Sequence, residues 1–303
     1  SLFYKNYYLK NSNFADKLIF YNRVGSLVKY VNRANKIYFD YKLKNKNPDI
    51  IHLTYFNEKN FYASKAKKVI TEYDLIKEKF YAEKYQDQIE YKKKLFEKID
   101  QIICISSNTK KDLQQEYSID ASKISVVHLA VNKDKNVRER SLNIRPFILY
   151  VGLRQRYKNF INAIKAYARS NKLKLNFDFV CFGGGNFSKT EEELFRSLSL
   201  DGSRIHYFEG DQLDLNYFYQ KARIFIFPSL YEGFGIPLLE AMNMECPVMC
   251  SNTSCFPEIV NDAAILFDPT DIGSLEFKME KLIYDDQLLL NLKKKGNDNL
   301  NNY

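Results

Sequence analysis

Short apolar runs alternate along this chain with longer stretches whose apolar positions recur at helical spacing, the rhythm of a parallel sheet covered by helices. In the first half the runs predict strands at Ile50–Leu53, Lys68–Thr71, Gln101–Ser106 and Ile124–His128. A charged stretch of helical period covers Glu83–Ile99, and Ser107 or Asn108 would cap a helix over Thr109–Glu116. The rhythm restarts with a strand at Phe147–Val151 and a helix across Phe160–Ser170. Strands follow at Asn176–Phe182, Arg204–Phe208, Arg223–Phe227, Pro247–Ser251 and Ala264–Phe267, with a Ser188/Glu191 capping box opening a helix. Between the halves, Val131–Ile144 is polar and breaks the pattern, which marks an interdomain linker. The prediction is two doubly wound α/β domains, residues 1–140 and 145–303, with the linker at about 131–144.

One segment adds chemistry to this pattern. RIFIFPSLYEGFGIPLLEAMNME (223–245) reads as a buried strand, a Gly-rich turn and a helix opening at Pro237, which suits a first helical turn. Glu232 and Glu240 bracket the turn, with seven residues between them. Backbone N–H groups of Gly233–Gly235 would then stand at a helix N-terminus, where phosphate binds readily. A phosphate seat flanked by two carboxylate acceptors for hydroxyl groups suits a nucleotide-sugar. The plain alternative is a surface loop with incidental acids.

Composition narrows the options. At 303 residues the chain can hold two cores, and 45% hydrophobic with 27% charged residues is ordinary for a globular protein. Its 23 Tyr and 23 Phe, with no Trp, read as compositional bias rather than as a binding surface. The net charge of +9 is uneven: residues 1–140 hold 28 Lys and Arg against 17 Asp and Glu, and residues 141–303 hold 18 against 20. The basic half could face an anionic membrane or acceptor, or be a solvated lysine-rich surface. No motif interleaves its cations with stacking aromatics, which argues against nucleic acid. Five cysteines without CxxC spacing read as small buried hydrophobes of a reducing compartment. No membrane span or signal peptide is visible, so the expected location is cytoplasmic, with peripheral contact on the inner membrane face allowed.

YEGFGIPLLEAM (231–242) resembles the E-x7-E signature of retaining glycosyltransferases of the family-4 type, with the GT-B fold. PDIIH (48–52), CISSNTKKDL (104–113), KISVVHLAV (123–131) and FILYVGLRQRYKNF (147–160) are similar to further family segments in the same order. CPVMCSNTSCFPEIVNDAAILFDPTD (246–271) also follows the family's pattern. The resemblance implies an α/β protein of two Rossmann-like domains facing across a cleft, with the donor held by the C-terminal one. It implies hexosyl transfer from a nucleoside-diphosphate sugar to a glycan or lipid-linked acceptor with retained configuration, as in surface polysaccharide or lipopolysaccharide synthesis.

The resemblance also assigns roles. Arg154 and Lys158, after the Gly152 turn, would hold the diphosphate and take the place of a metal ion; no DxD-type or His-rich metal site is visible, and no cofactor is expected. Glu240 would accept from the ribose, while Glu232 and the turn Gly233, Phe234, Gly235 and Ile236 would face the transferred sugar. Gly183 and Gly184 could lie near the nucleotide or form a plain turn, and Gly210 is a weaker candidate for a base contact. On the acceptor side stand Tyr73 and Asp74, in TEYD, where relatives carry His-Asp. His52 could face the cleft as a catalytic group or be a satisfied strand residue. Ala130 replaces a common glycine. The N-terminal Gly-rich loop and C-terminal crossover helix are not visible, so the N-terminal domain reads as incomplete. An inactive nucleotide-sugar-binding or scaffolding subunit, or another GT-B enzyme such as an epimerase, remains the alternative.

Overall fold

The computed structural model of the chain describes residues 48–54, 65–200 and 202–303, together with Phe3–Tyr4, Ile19–Phe20 and a few helical positions between 30 and 41. The start of the N-terminal domain, which reads as incomplete in the sequence, lies mostly outside these residues. Two short strands there, β1 (Phe3–Tyr4) and β2 (Ile19–Phe20), pair in parallel. Contacts divide the chain into two units: residues 1–72, 87–103 and 121–124 form one, and residues 73–86, 104–120 and 125–303 the other.

The first unit is built on a four-stranded sheet of order β3 (Ile50–Leu53), β4 (Lys67–Glu72), β5 (Gln101–Cys104), β6 (Ile124–Val126). β3 and β4 run parallel, with His52 opposite Val69. Alternation along β3 buries Ile51 and Leu53 and leaves Ile50 and His52 exposed. Within this unit Lys92 reaches Glu72 at 2.7 Å, a buried charge pair.

In the second unit six parallel strands lie in the order β12 (Ala264–Phe267), β11 (Val248–Ser251), β10 (Ile224–Phe227), β7 (Phe147–Val151), β8 (Asp178–Phe182), β9 (Ile205–Phe208). β8, β10 and β11 are buried along their whole length, which is why they read as unbroken apolar runs rather than alternating ones. Successive side chains still go to opposite faces. Phe147, Leu149, Phe225 and Phe227 join one core with Leu238 and Phe256, while Ile148, Tyr150, Ile224 and Ile226 join the other with Phe160 and Phe179. The chain proceeds outward from β7 through β8 to β9, then returns to β10 on β7's other side. β7 and β10 therefore flank the topological switch point, outside whose carboxyl ends such sheets bind ligands.

Several boundaries differ from the predicted ones. Ser106, not Ser107 or Asn108, caps the helix Ser107–Tyr117, because its extended backbone lets the hydroxyl accept from Thr109 N–H. The charged helix begins earlier, spanning Ile76–Phe96 with non-helical backbone at Tyr81 and Tyr85. Helix Phe160–Arg169 is followed by a second, Asn171–Asn176, capped by Ser170, so β8 starts only at Asp178. The Ser188/Glu191 capping box forms as expected. The polar stretch 131–144 carries no helix or strand, and its Arg138 and Arg140 both grip the buried Asp214 carboxylate. All five cysteines are buried and free. Among the described residues no helix is long and apolar enough to cross a membrane.

Candidate active site

The loops leaving β7 and β10 meet at the switch point. Leu230 N–H donates to the Tyr157 carbonyl at 2.7 Å, tying them together. Lys158 closes the short 3-10 turn Arg156–Lys158 and donates through Nζ to Glu232 Oε1 at 2.6 Å. Ser229 Oγ donates to the same oxygen at 2.8 Å. Burial raises the Glu232 carboxyl above its usual range, Lys158 and Ser229 oppose that, and the nearby Asp74 charge adds to it. Lys158 Nζ also lies 5.3 Å from the centre of the Tyr157 ring and 5.7 Å from that of Phe227.

Gly233 is where the turn meets the Tyr73–Asp74 segment. A Cβ at 233 would stand 1.9 Å from the Tyr73 carbonyl oxygen, so only glycine allows this approach. Gly235, with φ of 98°, is the N-cap of the helix Ile236–Asn243, and Pro237 lies in its first turn. The amides of Gly233, Phe234, Gly235 and Ile236 donate to no described residue, as expected at a helix N-terminus, whose first N–H groups have no intrahelical acceptor. One turn in, Glu240 accepts from the buried Tyr219 hydroxyl at 3.3 Å, and burial raises its carboxyl too.

The turn is braced from β11's far end. Ser254 Oγ donates to the Glu232 carbonyl at 2.6 Å and accepts from the Glu232 N–H at 3.2 Å. Cys255 Sγ lies 3.2 Å and 3.1 Å from the carbonyls of Glu232 and Phe234, and Thr253 Oγ1 donates to Leu230. On the turn's other flank Tyr231 donates to Asp112 at 2.8 Å. Neither Ser229, Ser254, Cys255 nor Tyr157 stood out in the sequence. The signal for two of them, Ser254 and Cys255, was the polar run SNTSC (251–255) that begins at the last residue of β11, the strand hydrogen-bonded to β10.

Other predicted residues have different surroundings. Arg154 is buried: Nε donates to Glu191 at 2.6 Å, Nη1 to the Gly183 carbonyl at 3.1 Å, and Nη2 to those of Gly185 and Asn186 at 2.7 Å and 3.0 Å. Most of its donors therefore hold the glycine turn after β8. Gly183 and Gly184 have φ of 76° and 78°, and a Cβ on Gly184 would reach the Gly152 carbonyl oxygen at 2.4 Å. Gly184 lets two loops nest, a structural need in itself, whereas a Cβ on Gly183 would meet nothing within 4 Å. Gly210 is pressed on Asp214 in the same way, its Cβ position 2.3 Å from Oδ2. His52 belongs to the first unit, where its exposed ring pairs with Thr71 Oγ1 at 2.8 Å. Tyr73 is partly exposed and meets Gly233 through its carbonyl. Among the described residues no three His, Cys, Asp or Glu side chains cluster to hold a metal.

Comparison with known proteins gives this geometry a context. Residues 132–299 match the family described as Glycosyl transferases group 1, and residues 14–135 that described as Glycosyltransferase Family 4. The O-antigen chain mannosyltransferase B of Escherichia coli is 29% identical over 221 residues, covering 66% of this chain and 57% of that protein. The O-antigen chain mannosyltransferase RfbU of Salmonella typhimurium is 28% identical, covering 60% of this chain and 50% of that protein. The chain thus spans about half the length of these relatives. Among solved structures, a sucrose-phosphate synthase from Thermosynechococcus elongatus superposes with a TM-score of 0.75 at 18% identity, over 93% of this chain and 76% of that one. WaaG, a glycosyltransferase involved in lipopolysaccharide biosynthesis, gives 0.66 at 17%, over 95% and 83%. These likenesses show the fold, which is GT-B.

Proposed function

This chain belongs to the glycosyl transferases group 1 family, and on that premise we propose that it moves a hexosyl unit from a nucleoside-diphosphate sugar to a glycan or lipid-linked acceptor. The observation that carries the reading is the Lys158–Glu232 pair, 2.6 Å apart, beside the unpartnered amides of the Gly233–Ile236 turn at the sheet's switch point. Those amides and Lys158 would receive the diphosphate, and negative charge growing on the leaving group is stabilised by donors already in place. Glu240 accepts from the ribose hydroxyls, and Glu232 from hydroxyls of the transferred sugar. With Lys158 supplying the positive charge, the reaction needs no metal or cofactor.

Arg154 acts at one remove in this scheme, by fixing the Gly183–Gly185 turn against the Gly152 loop. Transfer proceeds with retention by a front-face route, in which the departing phosphate oxygen takes the acceptor proton. The mannosyltransferase relatives make a mannosyl donor the first to test, in assembly of a surface polysaccharide or lipopolysaccharide. The surplus of 28 cations over 17 acids in residues 1–140 suits contact with an anionic membrane, where lipid-linked acceptors reside.

A thermal-shift screen over GDP-, UDP- and dTDP-sugars tests the reading. One donor class is expected to raise the melting temperature in a concentration-dependent way, and Glu240→Ala to remove the rise. A flat response to every donor would count against the reading, and an inverted anomeric centre in the product, seen by NMR, would exclude retention.

A further inference from the structure

Two tyrosines beside the Lys158–Glu232 pair have no task in this scheme. The Tyr157 ring lies 5.3 Å from that of Phe80 and 6.5 Å from that of Tyr81, the latter almost edge-on at 87°. Buried tyrosines elsewhere in the unit spend their hydroxyls internally: Tyr150 on Leu153, Tyr167 on Phe177, Tyr217 on Arg140, Tyr219 on Glu240, Tyr231 on Asp112. The hydroxyls of Tyr81 and Tyr157 bond to no described residue, though both side chains are half-buried. Burial, with the charges of Glu232 and Asp74 nearby, pushes the Tyr157 phenol up to about 12, so it remains a neutral donor.

The backbone is irregular beside both rings. Helix Ile76–Phe96 leaves helical geometry at Tyr81 (φ −141°, ψ 25°) and again at Tyr85. Arg156 holds φ of 36°, a conformation that costs a non-glycine residue energy and collects at functional sites. Its guanidinium lies 5.1 Å from the Tyr81 ring centre and makes no ion pair among the described residues.

We propose that Tyr81 and Tyr157, with Asp74 and Arg156, form the acceptor subsite, and that it takes a pyranose ring of a glycan rather than an apolar chain. A pyranose has a C–H face that packs on the electron-rich face of an aromatic ring and a rim of hydroxyls. That rim would pair with the Asp74 carboxylate, the free phenols and the Arg156 donors. An alkyl chain in the same place would strip water from these charged groups and return no hydrogen bond. The proposal rests on the reading of Glu232 and Lys158 as the transfer centre.

Saturation-transfer NMR on the whole chain tests it, with the methyl α-glycosides of mannose, glucose and galactose as probes. At least one should show saturation of its ring protons. Tyr157→Leu should weaken that glycoside about 5-fold, equivalent to about 1 kcal/mol, whereas Tyr157→Phe should retain most of the binding. Octyl α-mannoside, run alongside, should be saturated at its ring and not along its alkyl tail. Unchanged binding in Tyr157→Leu, no ring saturation by any glycoside, or saturation of the octyl tail alone would overturn the proposal. Nucleotide-sugar thermal shifts on the same proteins separate the two readings. Shifts that persist while glycoside binding ignores Tyr157 leave the transfer reading standing without the platform, and loss of shifts in wild type removes both.

Discussion

Gly233→Ala is the sharpest test of how the site is built. The added Cβ would lie 1.9 Å from the Tyr73 carbonyl oxygen, 2.9 Å from its carbon and 3.0 Å from Asp74 Cβ. Ordinary contact begins near 3.4 Å, so the two segments must part by about 1.5 Å. The first obstacle is backbone, and trimming the Tyr73 side chain cannot relieve it. The turn cannot simply retreat, because Ser254 and Cys255 hold the carbonyl of Glu232 from behind. Overpacking of this kind costs about 1–3 kcal/mol. The larger effect should be on rate, since a misplacement of about 1 Å in reacting groups costs about 100-fold. The assay pairs urea unfolding with kcat/KM for transfer from the donor found by thermal shift. Gly185→Ala is the control: its φ of 82° is unfavourable, but a Cβ there meets nothing within 4 Å. It should cost about 1–2 kcal/mol in stability and far less in rate. A Gly233→Ala protein within about twofold of wild type in kcat/KM, and equal to it in stability, would refute this account of the turn.

Arg154→Met should destabilise the second unit by about 3–5 kcal/mol, because it leaves Glu191 and three carbonyls of the glycine turn without their partner; a change below about 1 kcal/mol in urea unfolding would contradict the structural role. Glu258 is half-buried, which favours its neutral form, but the Ser107 and Asn108 amides and the His128 ring outweigh this and hold its carboxyl below the usual value. A depressed carboxyl contributes stability above its unfolded pKa of about 4.3 and loses it as pH falls through the folded value. Glu258→Gln should therefore be less stable than wild type at pH 7, with the gap in urea midpoints narrowing toward pH 3.5; a gap independent of pH would count against it.

Much of the second unit was legible along the chain. Strands buried on both faces are apolar along most of their length, so β7, β8, β10 and β11 announced themselves, and the Ser188/Glu191 cap is a local hydrogen-bond pattern. Glu232, the glycine turn and Glu240 were visible for the same reason: strand, turn and helix N-terminus are contiguous. Less legible were the ends set by competition, such as Ser106 taking the cap from its neighbours.

What the sequence determined by itself was local: which segments are strands and helices, where backbone must turn, and which acids flank the turn. Tertiary structure alone decided which side chains share a space. It turned Arg154 toward Glu191 and the Gly183–Gly185 carbonyls, while Lys158, four residues on, points to Glu232. It brought Ser254 and Cys255 behind Glu232 and the Tyr73 carbonyl against Gly233, contacts that span 22, 23 and 160 residues. Such contacts depend on strand order, and strand order is settled by how whole faces of the sheet bury their apolar area. No window of sequence contains that sum, and so the walls of the site, unlike its turn, could be read only from the folded chain.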